Sequence, residues 1–386
     1  MADCPKKILF YSRSPMNSVM IRPIVRRLAG DPGLRLFFSG KPSIPSETLE
    51  ETLAPLRRPS LRAGRGAEER TGGSSRACRR TGGEAEGGDA QAPGRAVSHW
   101  VARWRRFDLF VSPDIAMPAR RTRRRVQVFH GVSFKGKAYS AKIHRYNHVF
   151  LVGEYMRRRF IEKGLFKEDD RALHRIGMPK TDPLLDGSLD RTDALADLGL
   201  DSSRTTVIYA PTWRRESSLN VEGEAVIDAL AGMGLNVLVK IHDHSRDPQT
   251  NRRDWGAWLD AREDSRVRRV RDPDIVPFLN AADLLVTDAS SVANEFTLLD
   301  RPILFMDAPD LLKVYAPTAD LETWGRRIGT VVRGAANLRA AAARALSDPA
   351  AQSDVRRAAA ADIFYNPGQA TNAAVRTIYQ ILEPAS

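Results

Sequence analysis

The stretch LLVTDASSVANEFTLL, residues 284–299, runs from a short apolar segment through a polar turn into a second apolar segment with helical spacing. LLVT (284–287) reads as a buried strand and Ser290–Leu299 as the helix that follows it. A strand feeding a helix this directly is the repeating unit of a parallel sheet.

The same rhythm surrounds it. TVIY (206–209), VLVK (237–240), Val267–Val270 and Ile303–Phe305 read as strands, separated by amphipathic stretches at Glu222–Gly232 and Asp274–Ala281. The first half opens alike, with KKILFY (6–11), a helical spacing from Pro15 to Leu28, and a second strand at Leu34–Phe38. DLFV (108–111), VQVF (126–129) and VFLV (149–152) add three more strands. The expected class is α/β, with two Rossmann-like doubly wound domains facing a central cleft. Ligands of such sheets bind at the carboxyl ends of the strands. Pro179–Asp193 is turn-rich and carries the boundary, so the expected domains are 1–180 and 181–370. Residues 371–386 are expected to form a helix that crosses back to brace them. Apolar residues almost vanish between 60 and 96, which reads as a disordered insertion.

A chain of 386 residues can bury two cores of this kind. With 28% charged residues and no run near the ~18 apolar residues of a membrane span, no transmembrane helix is expected. Met1–Lys7 lacks the apolar run of a secretory signal, so a cytoplasmic location is expected. Two cysteines, Cys4 and Cys78, build no disulfide or metal framework. The 60 basic against 47 acidic residues give +13, which favours an anionic partner without choosing among polymer, nucleic acid and membrane. The arginines are scattered, with local runs at 120–125 and 157–159, and no aromatic-interleaved basic motif of the kind a single-strand binder carries is read in the chain, so nucleic acid is not the expected partner.

Chemistry-bearing residues gather where the strands end. After LLVT, Asp288, Ser290 and Ser291 open a helix; the two serines are expected at its N-cap and first turn, where free N–H groups attract anions. Glu295 follows on the same helix face, within reach of a hydroxyl such as a ribose. An ordinary serine cap without a ligand fits the spacing equally well. His130 and Gly131 close VQVF, and Lys135 and Lys137 follow in a glycine-containing loop. Lys240 and His242 close VLVK and share a side of the strand. Each domain thus offers a histidine at the same architectural position, one suited to general base and one to steadying phosphate charge. Thr212 and Arg214 follow TVIY, and a guanidinium is the group best shaped for phosphate oxygens. His242 and His244 share a face, but spacing supplies no third ligand and no metal site is expected. Walker A, GxGxxG, GxSxG and kinase motifs are absent from the sequence.

Taken in order, these segments resemble the CDP-glycerol glycerophosphotransferase family, whose members build or prime teichoic-acid-type polymers. The resemblance rests on His130-Gly131-Val132-Ser133-Phe134-Lys135-Gly136, on Gly177-Met178-Pro179-Lys180-Thr181-Asp182, and on the intact Tyr209–Arg214 (YAPTWR). It continues with Lys240-Ile241-His242-Asp243, then Thr287-Asp288-Ala289-Ser290-Ser291 with Glu295 beyond. It implies a GT-B fold, with the nucleotide on the C-terminal domain and the acceptor on the N-terminal one. It implies catalytic His130 and His242. It also implies a substrate set of Gly131, Lys135, Lys180, Asp182, Thr212, Arg214, Lys240, Asp288, Ser290, Ser291 and Glu295. The donor would be CDP-glycerol or a related CDP-alcohol, with CMP released and no tightly bound metal or other cofactor. The acceptor would be lipid-linked or a saccharide, in cell-envelope polymer or glycoconjugate synthesis. Val132-Ser133, Asp243 and Ala289 depart from the family's Thr-Pro, Pro and Tyr, which leaves the transferred alcohol open. The family's long acceptor-side extensions are absent, which favours a single transfer or a short product. The basic stretch Met156–Phe160 is a candidate contact with the inner, anionic face of a membrane. Two alternatives stand beside this reading: a GT-B glycosyltransferase using a nucleotide sugar, and a non-catalytic protein that binds an anionic surface or nucleic acid.

Overall fold

The computed structural model describes residues 4–41, 94–115, 119–132, 138–262, 264–317, 320 and 324–383. Most of the expected 60–96 insertion lies outside the described residues; its last three positions do not, and of these Arg95–Ala96 forms a strand.

The N-terminal lobe is a parallel sheet of β1 (Lys6–Ser12), β2 (Leu34–Gly40), β3 (Arg95–Ala96), β4 (Leu109–Ser112), β5 (Arg124–Gln127), β6 (His148–Leu151) and β7 (Leu173–Arg175). Their order across the sheet is β3-β2-β1-β4-β5-β6-β7. β1 is buried on both faces. Ile8 and Phe10 pack with Ile24, Val25 and Leu28 on one side, and Leu9 and Tyr11 with Ala102, Phe107 and Phe110 on the other. Helices covering both faces make such a strand read as one unbroken apolar run. The single helix expected over Pro15–Leu28 is two, Pro15–Ser18 and Arg22–Leu28. Pro23 lacks an N–H and is tolerated in a first helical turn, so the helix restarts there.

The C-terminal lobe holds β8 (Thr206–Tyr209), β9 (Asn236–Val239), β10 (Val267–Arg269), β11 (Leu284–Thr287), β12 (Ile303–Met306) and β13 (Thr330–Val332). Its order, β10-β9-β8-β11-β12-β13, repeats that of the first six strands of the other lobe. In each sheet the winding therefore reverses beside the first strand, between β1 and β4 and between β8 and β11. β7 and β13 went unread in the sequence because each is a three-residue edge strand, half-buried or exposed along most of its length.

The lobes are joined after β7. Gly177 has φ of 99°, and a Cβ there would sit 2.1 Å from the Tyr365 carbonyl oxygen, so only glycine fits. A 3₁₀ turn, Pro179–Leu184, follows. Asp182, expected to touch substrate, instead accepts the backbone N–H groups of Ala370 (3.0 Å) and Thr371 (2.7 Å). It thereby caps the last helix, Ala370–Leu382, whose Ala374, Ile378 and Ile381 pack with Ile24 and Leu28 on the N-terminal lobe. Burial raises the Asp182 carboxyl above its usual range, and the backbone donors pull against that.

The helix Glu154–Glu162 corrects the expected membrane contact. Met156 and Phe160 are fully buried, and Arg157, Arg158 and Arg159 pair with Glu154, Asp362 and Glu162. Basic side chains held by carboxylates present little net charge to a surface. Among the described residues no helix is long and apolar enough to cross a membrane.

Candidate active site

The loops leaving the two points of reversal face one another. Between them lies a cavity of about 660 Å³, within the ~300–1,000 Å³ usual for small-ligand sites. The N-terminal lobe contributes Arg13 after β1, Pro113 and Asp114 after β4, and Phe129, His130 and Gly131 after β5. The C-terminal lobe contributes Asp288–Ser291 after β11 and Tyr315 and Arg326 beyond β12. A ligand in such sheets binds where the strand order reverses, and here two reversals share one cavity. A Cβ placed on Gly131 would lie 3.9 Å from Ser291 Oγ of the other lobe.

His130 stands three residues beyond the end of β5, not at its last residue. Its Nδ1 lies 3.1 Å from the Pro113 carbonyl oxygen. A carbonyl only accepts, so Nδ1 carries the proton and Nε2 keeps its lone pair. That is the tautomer of a general base. His242 has the opposite arrangement: its Nδ1 accepts the His244 backbone N–H at 3.1 Å, which puts the ring proton on Nε2. It presents a donor, suited to a phosphate oxygen.

His242 is outside the cavity lining, in an aromatic group beside it. Its ring stacks on His244 at 5.0 Å and lies 6.0 Å from Trp213. Arg214 connects this group to the cavity, its guanidinium 5.3 Å from the Trp213 ring and 5.4 Å from that of Tyr315, which lines the wall. Arg214 has no carboxylate partner among the described residues, and its Nε is a buried donor without an acceptor. The neighbouring Thr212 hydroxyl is likewise buried and unpaired.

Several expected ligand contacts are structural. Asp288 is almost fully buried, and its carboxylate accepts Thr212 N (2.9 Å), Ala289 N (2.6 Å), and both N and Oγ of Ser218 (3.0 and 2.9 Å). It ties the loops after β8 and β11 together, leaving little capacity for a substrate. Because the turn is wound around this carboxylate, the helix begins one residue later than expected. Ser291 occupies the N-cap of Val292–Phe296, and Ser290 lies outside it, its Oγ 3.4 Å from Val292 N. Glu295, expected within reach of a ribose, is buried and paired with Lys180 at 2.9 Å. Lys180, also expected to bind substrate, is thereby an inter-lobe strut. Lys240 donates its ammonium to the Asp272 backbone carbonyl, and burial lowers its pKa. Lys135 lies outside the described residues.

The sequence reading passed over Arg13, Asp114, Lys142 and Arg326. The first two follow strands at the reversal, so applying the carboxyl-end rule to β1 and β4 would have found them. Asp114 accepts Arg13 N (2.7 Å) and Asn17 Nδ2 (2.8 Å), which shapes the loop rather than offering a free charge. Arg326 is paired with Asp307. Arg13 and Lys142 are exposed and, among the described residues, in no ion pair. With Arg214, unpaired cations therefore border the cavity from both lobes, an arrangement suited to a polyanion.

A family model described as CDP-glycerol:poly(glycerophosphate) glycerophosphotransferase matches residues 99–380. The teichoic acid glycerol-phosphate primase of Bacillus spizizenii (strain W23) is 29% identical over 161 residues, covering 41% of this chain and 37% of that one. The protein of the same description from Bacillus subtilis (strain 168) is 29% identical over 174 residues, 44% of this chain and 40% of its own. The chain thus spans about two fifths of the length of these curated relatives. In fold it is similar to the wall teichoic acid polymerase TagF, with a TM-score of 0.63 at 16% identity over 98% of this chain and 89% of that one. It is also similar to a putative UDP-N-acetylglucosamine 2-epimerase from Listeria monocytogenes, with a TM-score of 0.57 at 15% identity over 99% and 98%. Two Rossmann-like lobes in the GT-B arrangement are common to them.

Proposed function

The chain belongs to the CDP-glycerol:poly(glycerophosphate) glycerophosphotransferase family, and from that premise we propose that it moves an alcohol phosphate, glycerol phosphate first, from a CDP-activated donor to an acceptor hydroxyl. The acceptor oxygen attacks the donor's β-phosphorus, the bond to the bridging oxygen breaks, and CMP leaves with that oxygen. The acceptor's proton passes to Nε2 of His130. Negative charge on the pyrophosphate is met by Arg214, by the Nε2–H of His242 and by Ser290 and Ser291. Such a transfer needs little covalent chemistry from the protein; alignment and charge neutralisation carry it. No resident cofactor enters the scheme, and the CDP-alcohol is a substrate. A lipid-linked or saccharide hydroxyl is the acceptor.

The observation that carries this reading is His130, its Nδ1–H held by the Pro113 carbonyl and its ring in the wall of a cavity shared by both points of strand reversal. A base there serves an acceptor from one lobe and a nucleotide from the other. The test is a panel of CDP-glycerol, CDP-ribitol and UDP-sugars incubated with membrane extract as acceptor source, with the released nucleotide identified. CMP from a CDP-alcohol supports the proposal. A nucleoside diphosphate would move the chain to the glycosyltransferases.

A further inference from the structure

The loops after β8 and β9, which carry Arg214 and His242, are bridged by two asparagine side chains. Asn220 lies in the first turn of the helix Ser218–Ala231. Asn251 lies between the 3₁₀ turn Asp243–Arg246 and the helix Trp255–Asp260. They are 3% and 2% exposed, and neither lines the cavity. Their amides bond to each other, Asn220 Nδ2 donating to Asn251 Oδ1 at 2.7 Å.

From that bond the contacts run outward in both directions. Asn220 Nδ2 also donates to the Arg214 carbonyl at 2.9 Å. Its Oδ1 accepts Trp255 Nε1 (2.8 Å) and the Arg252 backbone N–H (3.2 Å). An asparagine amide offers two donor hydrogens and two lone pairs, so Asn220 is saturated. Asn251 Nδ2 donates to the His244 carbonyl at 2.6 Å and to Thr250 Oγ1 at 2.9 Å. The N–H of the same His244 goes to His242 Nδ1 and sets the tautomer of that ring. Two amides thus link the backbone of Arg214 to the residue that fixes His242. An apolar pair would fill the space without fixing any distance. Buried amides are costly unless every hydrogen bond is made, so this pair holds in one arrangement only.

We propose that Asn220 and Asn251 are positioning residues, which hold Arg214 and the Nε2–H of His242 in register with each other for a single pyrophosphate. The proposal rests on the reading that these two groups meet the donor; the asparagines themselves touch neither substrate nor reacting atoms. Alignment and charge neutralisation carry the transfer, so a group displaced by about 1 Å loses much of its effect. Arg214 comes from the loop after β8 and His242 from the loop after β9, and the sheet alone fixes neither loop. The amide pair supplies that constraint.

Asn251→Asp keeps the size and the acceptor for Asn220 but sets a carboxylate oxygen against the His244 carbonyl. Asn220→Asp keeps the acceptors for Trp255 and Arg252 but sets an oxygen against the Arg214 carbonyl. The first measurement needs no substrate: imidazole nitrogen resonances of the full chain carrying isotope-labelled histidine, at about pH 9, where imidazoles are neutral. His242 is assigned by its loss in His242→Gln. The wild type should carry the His242 proton on Nε2, and Asn251→Asp should show a mixture of the two tautomers. The second measurement is calorimetric titration with CDP-glycerol. Each Asn→Asp variant should bind about tenfold more weakly. Made on His242→Gln, Asn251→Asp should cost no more than about twofold, because the group it positions is already gone. A merely structural role would lower the melting temperature and leave the tautomer and the affinity of the folded protein unchanged; that result overturns the proposal. So does a wild-type His242 protonated on Nδ1, a result that needs no variant to fold, or an equal loss in both backgrounds. If the wild type does not bind CDP-glycerol, the donor reading falls, and the tautomer measurement alone supports or overturns the positioning.

Discussion

The Lys180 ammonium lies 2.9 Å from the Glu295 carboxylate, with side-chain exposures of 11% and 3%, and joins the turn after β7 to the helix after β11. The pair crosses between the lobes at the hinge. Removing one partner strands the other charge, so Lys180→Met should cost about 3–5 kcal/mol. Adding Glu295→Gln should recover more than half of the loss. Urea unfolding of the single and double variants checks this; two variants equally unstable would count against a coupled pair.

Gly177 isolates a second hinge requirement. Gly177→Ala combines a left-handed backbone with a Cβ 2.1 Å from a carbonyl oxygen, and a loss of about 2–4 kcal/mol is expected. Gly187 also has positive φ, at 75°, but opens onto free space, so Gly187→Ala should cost only about 1 kcal/mol. Thermal unfolding of the two variants separates close approach from backbone strain.

Arg214 lies between Trp213 and Tyr315 with no carboxylate partner among the described residues. Arg214→Ala should weaken donor binding by about ten- to a hundredfold, the worth of a charge-assisted hydrogen bond. Arg214→Lys keeps the charge but loses the planar stack, and should recover little. Titration calorimetry with the donor measures both.

His148 Nδ1 and His174 Nε2 share a hydrogen bond at 3.0 Å, which requires at least one ring to be neutral. Burial, with His174 and Arg124 nearby, pushes the His148 pKa down to about 4, and burial lowers that of His174. The unfolded chain, with histidines near ~6.5, binds more protons below that pH. The stability these residues contribute is therefore present above about pH 6.5 and is lost as the pH falls toward 4. Melting temperature against pH should drop over that window in the wild type and less steeply in His148→Gln.

The architecture was legible because β1, β8 and β11 are buried on both faces and so appear as unbroken apolar runs. His130, Ser290 and Ser291 were expected at the cleft because residues after such strands face it, and they line the cavity, with Arg214 beside its wall. What sequence could not separate was a polar residue free to meet a ligand from one held by a partner elsewhere in the fold. Asp182, Asp288, Lys180, Glu295 and Lys240 sit in the same motifs, yet their partners come from residues distant in the chain. Asp288 shows why: its acceptors are filled by Thr212 and Ser218, a pairing that exists only once β8 and β11 are neighbours.

The measurement that most directly tests the central claim is release of CMP from CDP-glycerol by the wild type and by His130→Ala. The account predicts CMP as the nucleotide product and a fall in turnover of about two orders of magnitude or more in the variant, with an unchanged melting curve. Near-full activity of His130→Ala, or a nucleoside diphosphate in place of CMP, would contradict it.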